Sequence, residues 1–230
     1  MGETRLVVTI DGPAGAGKTT LARRVAAALG VAYMDTGAMF RVAALRLGPG
    51  AGKRPGQDIR EALSGLTFSL RGAGADTELL ACGERAGDEI RTEAVGYLAS
   101  TLATLPEVRA FLRDAQRDLG RRGSLVAEGR DMGTVVFPDA TRKFFLDAAP
   151  EVRAARRTAQ LAAMGKPADQ AAILADILRR DEQDRNRAEA PLRPAPDAVI
   201  IDTSGLDVDG VFAAIMDRIG PRGRRPAGGA

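Results

Sequence analysis

Apolar and polar positions change period several times along this chain. Leu6–Ile10 is a short, β-branched apolar run and predicts a buried strand. From Lys18 the spacing becomes helical, with Leu21, Val25, Ala28 and Leu29 predicted on one face and Gly30 as the stop. Val31–Asp35 reads as a second strand ending on an acid, and Thr36–Leu47 as the helix that follows it. Gly48–Gly56 is a loop and Asp58–Leu63 a short helix. Leu66–Leu70 alternates as a strand, Arg71–Ala75 turns, Thr77–Cys82 returns as a strand, and Gly83 and Glu84 turn again. A small antiparallel sheet is therefore expected inside an otherwise parallel pattern. Arg91–Ala103 and Glu107–Leu119 are helical, parted by Leu105 and Pro106. Ser124–Ala127, Lys143–Leu146 and Ala198–Ile201 supply three more core strands. Between the last two, a helix starts at Pro150 and runs through Met164, and a second is capped by Asp169 and carries Arg179–Arg187. Val208–Ile219 is a closing helix, and the Gly/Pro/Arg-rich stretch 221–230 is expected to be disordered. The alternation predicts an α/β protein with a parallel sheet flanked by helices.

Composition narrows the chemistry. The chain has 230 residues, 45% of them hydrophobic, which is enough for one α/β domain with a real core and a small insertion. A single cysteine, Cys82, excludes an internal disulfide, and the absence of histidine excludes histidine acid–base chemistry and zinc sites. No apolar run is long enough to span a bilayer, so a soluble cytoplasmic protein with no membrane partner is expected. The formal net charge of +3 is too small to argue for nucleic acid as a partner. The positive charge is nearly all arginine; Lys18, Lys53, Lys143 and Lys166 are the only lysines. Arginine suits bidentate phosphate binding, so position must decide what these residues do.

One stretch is diagnostic by itself. After the first strand, Gly12, Pro13, Ala14, Gly15, Ala16, Gly17, Lys18, Thr19 and Thr20 spell G-x-x-x-x-G-K-T-T and open a helix. This is a P-loop in its required strand–loop–helix context. Backbone N–H groups and the helix dipole face an anion, Lys18 brings a mobile charge to the outer phosphates, and the Thr19 hydroxyl is placed to ligate Mg²⁺ accompanying ATP. The similar string Gly50–Lys53 is a decoy, because no strand precedes it and Arg54-Pro55 replaces the threonine and helix.

Four further constellations carry charge. Asp35, Thr36 and Arg41 stand where a strand end meets a helix, and Arg41 can reach an anion near the P-loop. Glu128-Gly129-Arg130-Asp131 stands at another strand end, where an acid can hold the hydration shell of Mg²⁺ and Arg130 can point at a phosphate. Asp131 has the alternative of pairing with Arg130. Arg180, Asp184 and Arg187 are spaced to share one helix face, although such runs also form solvated salt-bridge faces. Arg153, Arg156 and Arg157 lie on the Pro150 helix, which with Gly165 and Pro167 beyond it suggests a mobile lid. One basic zone suits a second, phosphate-bearing substrate and the other suits closure over a triphosphate. Transfer between phosphates needs positioning and charge neutralisation rather than a protein nucleophile.

With these motifs in hand, the chain resembles the bacterial cytidylate kinases. TIDGPAGAGKTTLA, MDTGAMFR, DEIRTEAV, LPEVR, EGRDMGTVVFPDA, FFLDA and RRDEQDRNRAEAPL carry the resemblance, in order, from about residue 6 to the last helix. It implies a three-layer nucleoside monophosphate kinase fold: a five-stranded parallel core, lid helices near 153–170, and a small α+β insertion near 64–104 that binds the monophosphate. It implies transfer of the γ-phosphoryl group of ATP to CMP, and to dCMP, by a monomer. Carried over, Ser100 and Arg109 read the cytosine edge, Arg180 and Asp184 meet the ribose, and Arg41, Arg130 and Arg187 hold the CMP phosphate. Asp131 orients this site or the base, Arg156 and Arg157 fall on the ATP side of the lid, and Lys18, Thr19 and Glu128 serve the triphosphate and its metal. The chain departs from the family pattern in having Thr36 for serine, Phe40 for tyrosine and Glu128 for aspartate.

A P-loop kinase acting on another nucleoside monophosphate or small phosphorylated acceptor is the alternative. A guanine-selecting switch is disfavoured, because the only asparagine, Asn186, is followed by Arg187 and makes no N-K-x-D. Lys18→Ala is expected to abolish turnover, a loss on the order of a hundredfold or more, while circular dichroism and the urea midpoint report an intact fold.

Overall fold

The structure, a computed structural model, describes residues 5–220; the expectation of disorder for Pro221–Ala230 lies outside them. The first half of the chain contains β1 (Val7–Asp11), α1 (Lys18–Leu29), β2 (Ala32–Asp35), α2 (Thr36–Leu47) and α3 (Gly56–Leu63). Next come β3 (Phe68–Arg71), β4 (Glu78–Ala81), β5 (Glu84–Arg85), α4 (Glu93–Leu102) and α5 (Pro106–Arg122). The remainder is β6 (Leu125–Gly129), β7 (Arg142–Asp147), α6 (Pro150–Ala163), α7 (Gln170–Asn186), β8 (Val199–Asp202) and α8 (Val208–Ile219).

Five strands make the predicted parallel sheet, in the order β2-β6-β1-β7-β8. β1 is central, and Val8, Thr9 and Ile10 are fully buried because helices cover both faces. One face carries α1 and α8, with Leu21, Val25, Val211 and Ile215 packed on Ile10, Phe144 and Leu146. The other carries α2, α3 and α5, with Met39, Ile59 and Leu112 in one cluster with Met34, Leu125 and Ala127. Phe68, Ile90, Ala99 and Leu102 join that second cluster, so the three-stranded antiparallel sheet β3-β4-β5 and α4 lean on the same core as the main sheet.

The register brings the chemistry to one edge. Asp11 pairs with Gly129, Asp35 with Glu128, and Asp11 on its other side with Phe145. The carboxyl ends of β1, β2 and β6 are therefore level, and the loops that follow them open into one crevice. Gly12 is required at the first of these turns. Its φ of +148° suits no L side chain, and a Cβ there would sit 2.0 Å from the Leu146 carbonyl oxygen.

Several local expectations shift. On α1, Ala28 is exposed while Ala22 and Ala26 are buried, since the face that meets the sheet follows Leu21, Val25 and Leu29 at i+4. The helix expected from Arg91 is a 3₁₀ turn, Asp88–Arg91, followed by α4, whose start is capped by the Thr92 hydroxyl accepting from the Val95 N–H at 3.3 Å. α3 begins at Gly56, immediately after Pro55. Gly83 is the second turn residue, after Cys82, and Glu84 belongs to β5. The stretch Met132–Val136, in which the periodicity predicts no element, is a π-helical turn where the Phe137 N–H reaches the Met132 carbonyl at 2.7 Å.

Candidate active site

The phosphate loop runs from the end of β1 to the start of α1. Gly17 holds the helix N-cap in the left-handed region at φ 85°, and no side chain caps the first turn, whose N–H groups face the loop. Lys18 is buried, and its ammonium donates to the Pro13 carbonyl at 2.6 Å. Burial first, then the Arg130 charge, push Lys18 down to about 7, against the pull of Glu128, Asp11 and Asp184. Four other charged groups are thus close enough to set the state of this lysine.

Glu128 is a buried carboxylate of the same region. It accepts from the Thr19 hydroxyl at 2.9 Å on one oxygen and 3.1 Å on the other, and the Tyr33 hydroxyl also donates to it. Burial, and then the Asp35 charge, push its carboxyl up to about 7; Lys18 and the Tyr33 and Thr19 hydroxyls oppose this. The Glu128 carbonyl accepts from the Thr36 hydroxyl at 2.7 Å. That approach needs the next residue to lack a side chain, because a Cβ at Gly129 would lie 2.8 Å from the same hydroxyl. Thr36 therefore tethers β6 to α2, while Asp35 caps α2 by accepting from the Ala38 N–H at 2.9 Å.

A second cluster lies beside the first. Asp131 is buried and forms an ion pair with Arg109, which is also buried and stacks over Phe40 at 5.9 Å. Arg187 lies 3.6 Å from Asp131 and 3.7 Å from Asp184, and donates to the Ala190 carbonyl at 2.6 Å. Arg130 closes the ring by donating to Asp184 at 2.9 Å. Three guanidiniums thus share two carboxylates, and one terminal nitrogen of Arg187 is buried with no hydrogen-bond partner in the structure. Burial, with Arg109 and Arg130 nearby, holds Arg187 below its usual range even against the two carboxylates.

Arg41 is half-buried and also held below its usual range, by burial and then by the charges of Arg91, Arg180 and Arg157, with the Asp35 charge acting in the opposite sense. The excess of converging guanidiniums is a place for a phosphate dianion. Ser100, near the end of α4, receives a bond from the Gln183 side chain on its carbonyl at 3.0 Å, and Arg109 reaches the neighbouring Ala103 carbonyl at 3.4 Å. Of the two residues expected to read the base, Arg109 lies in the cluster through its pair with Asp131, and Ser100 is joined to α7 through its backbone.

Other expectations are redistributed. Arg187 is just outside α7, at its extended C-cap, so it shares the cluster with Asp184 through the turn to Ala190 rather than through a helix face. The alternative pairing of Asp131 with Arg130 is replaced by pairing with Arg109 and Arg187. Arg156 donates to the Thr203 carbonyl at 2.6 Å and hydroxyl at 3.1 Å, and Arg157 donates to Gln160 at 2.9 Å and lies 4.0 Å from Glu93. Arg153, grouped with them in the sequence, is fully buried.

Three participants gave no signal in the sequence. Tyr33 is a buried strand residue whose hydroxyl reaches Glu128 across a strand pair. Arg91 joins the Arg41 group only through the 3₁₀ turn. Asp11 accepts from the N–H groups of Met132 at 2.9 Å and Gly133 at 2.8 Å, so the π-helical turn is docked on the end of β1. Among the described residues, no group of three or more acidic or cysteine side chains could cage a metal, and no helix is long and apolar enough to cross a membrane. The Thr19 hydroxyl beside Glu128 offers hard oxygen donors of the kind Mg²⁺ uses when substrate phosphates and water complete its shell.

A lysine-bearing phosphate loop, a parallel sheet and an adjoining arginine cluster define a P-loop phosphotransferase whose acceptor is itself a phosphate group. Residues 8–220 match the family model described as cytidylate kinase. The cytidylate kinase of Nitratidesulfovibrio vulgaris is 59% identical over 216 residues, covering 94% of this chain and 93% of its own. That of Oleidesulfovibrio alaskensis is 59% identical over 214 residues, covering 93% and 98%. At greater distance, that of Rhodococcus opacus is 45% identical over 218 residues, covering 94% and 95%. The chain belongs to the cytidylate kinase family.

The geometry at Asp11 generates a pH prediction. Burial pushes its carboxyl from 3.8 up to about 6, only partly offset by the two N–H donors. The folded chain therefore holds this proton more tightly than the unfolded chain, and stability from this group is complete below pH 3.8 and is lost as pH rises through about 6. Urea unfolding should show native protein losing up to about 3 kcal/mol relative to Asp11→Asn between pH 4 and 7. A stability difference that stays constant over that window contradicts the assignment.

Proposed function

We propose that the chain transfers the γ-phosphoryl group of ATP to CMP, and to dCMP, giving CDP or dCDP and ADP. The observation that carries this reading is the meeting, at the carboxyl ends of β1 and β6, of the Lys18 loop with a cluster holding more guanidiniums than carboxylates. Gly12–Thr20 is the donor half. Its N–H groups receive the triphosphate, and Lys18 leaves the Pro13 carbonyl to follow the phosphoryl group as charge moves between the two nucleotides. Thr19 and Glu128 would hold Mg²⁺ together with ATP, and the ion would supply neutralisation of phosphate charge.

Arg41, Arg130 and Arg187 hold the acceptor phosphate. Arg130 and Arg187 are ion-paired with carboxylates, so at these two a phosphate exchanges one set of anionic partners for another rather than neutralising bare cations. Ser100 and Arg109 read the cytosine edge, where donor and acceptor positions distinguish it from other bases, and Asp131 orients this site or the base. Arg180 and Asp184 meet the ribose. The β3–β5 sheet and α4, near residues 64–104, form the monophosphate-binding insertion, and α6 with the start of α7, near 153–170, forms the lid that carries Arg156 and Arg157 to the donor phosphates and excludes water. The protein works as a cytoplasmic monomer with nucleotides as its partners.

Release of ADP coupled to NADH oxidation, with CMP, dCMP, UMP, AMP and shikimate as acceptors, tests the assignment. ADP release dependent on CMP and dCMP is the expected result, and its absence with both refutes the reading. Arg187→Ala should raise KM for CMP by about tenfold or more and KM for ATP by much less, since a lost charge-assisted contact costs about 1.5–3 kcal/mol. Equal effects on both nucleotides would remove Arg187 from the acceptor site.

A further inference from the structure

Arg153 lies in the first turns of α6 and is fully buried, yet its guanidinium reaches three separate parts of the chain. Its Nε donates to the Ala148 carbonyl at 2.9 Å, in the connection from β7. One terminal nitrogen donates to the Ala14 carbonyl of the phosphate loop at 3.0 Å and to Asp181 at 3.1 Å. The other donates to the second oxygen of Asp181 at 2.5 Å. Asp181 is itself buried, on α7.

The Ala14 contact has a specific consequence. The carbonyl of Ala14 and the N–H of Gly15 belong to one peptide unit, and the described residues contain no cis peptide bond. In a trans peptide the two groups point in opposite directions. Holding the carbonyl against Arg153 therefore fixes the direction of the Gly15 N–H, one of the loop donors. The fit is close on the same side, because a Cβ at Gly15 would lie 3.2 Å from Cβ of Arg153.

The other end of the pair leads to the second cluster. Asp181 is one helical turn before Asp184 on α7, and Asp184 holds Arg130 at 2.9 Å and lies 3.7 Å from Arg187. Arg130 in turn acts on the charge of Lys18. The contacts form a chain from Ala14 through Arg153, Asp181, α7 and Asp184 to Arg130. Burying two charges is costly, and a buried ion pair is weak evidence of a stability role. A bidentate fork, by contrast, fixes the relative orientation of the parts it joins.

We propose that Arg153 and Asp181 are positioning residues that couple the two nucleotide sites: seating the donor in the loop orders α7 and its acceptor-holding side chains, and the reverse. This rests on the assignment of ATP and CMP to the two clusters. Coupling of this kind is reciprocal, each ligand tightening the other by the same factor.

Calorimetric titration of CMP into the full chain, with and without a saturating non-hydrolysable ATP analogue and Mg²⁺, tests the proposal. In the native protein the analogue should tighten CMP by about fivefold or more. In Asp181→Asn, which leaves the Arg153–Ala14 contact in place, each nucleotide alone should bind within about threefold of native, while the mutual enhancement falls below about twofold. The paired change Arg153→Met with Asp181→Leu removes both charges while keeping bulk, and should lose the enhancement in the same way even if a single change leaves an uncompensated charge and unfolds. A folded variant that keeps the native enhancement overturns the proposal, as does a native protein that binds both nucleotides with no enhancement. Failure of the native protein to bind CMP at all overturns instead the acceptor assignment on which the proposal rests.

Discussion

The structure depends on burying positive charge at the carboxyl edge of a parallel sheet without leaving that charge unpartnered. Arg109, Arg153 and Lys18 are all buried, and each has a designated acceptor: Asp131, Asp181 with the Ala14 carbonyl, and the Pro13 carbonyl. An isolated buried cation would be untenable. Paired, the same groups provide a low-dielectric region in which an incoming phosphate meets oriented donors. The carboxylates are therefore as much a part of the binding surface as the arginines, because they hold the guanidiniums in place until an anion shares them.

The sheet makes this possible by levelling its strand ends. The register of β1, β2 and β6 puts Asp11, Asp35 and Glu128 on adjacent strands near one edge. The three acids act differently there. Asp11 holds the π-helical turn, Asp35 caps α2, and Glu128 meets the hydroxyls of Thr19 and Tyr33. Burial above all, with a like charge beside each, favours protons on Asp11 and Glu128 and the neutral form of Lys18.

Much of the scaffold and the phosphate loop could be read from the chain in order. β1, the glycine loop and α1 are consecutive, so the requirement for a strand, a turn without side chains and a helix N-terminus is written in neighbouring residues. The same holds for Asp35, Thr36 and Arg41. The grouping of Arg153 with Arg156 and Arg157 shows where this ends. All three share α6, but one is fully buried at the phosphate loop and another donates to Thr203, because the direction of a helix face depends on what packs against it.

By itself the sequence determined the parallel α/β architecture, the phosphate loop and the family, since all three rest on local periodicity and contiguous motifs. Tertiary structure alone decided how the charges are paired. Arg109 and Asp131 are 22 residues apart, Arg130 and Asp184 are 54 apart, and Asp11 meets Met132 across 121 residues. Such partners are chosen by strand order, register and the packing of α7, and the free energy of burying a charge depends on the partner rather than on the residue type.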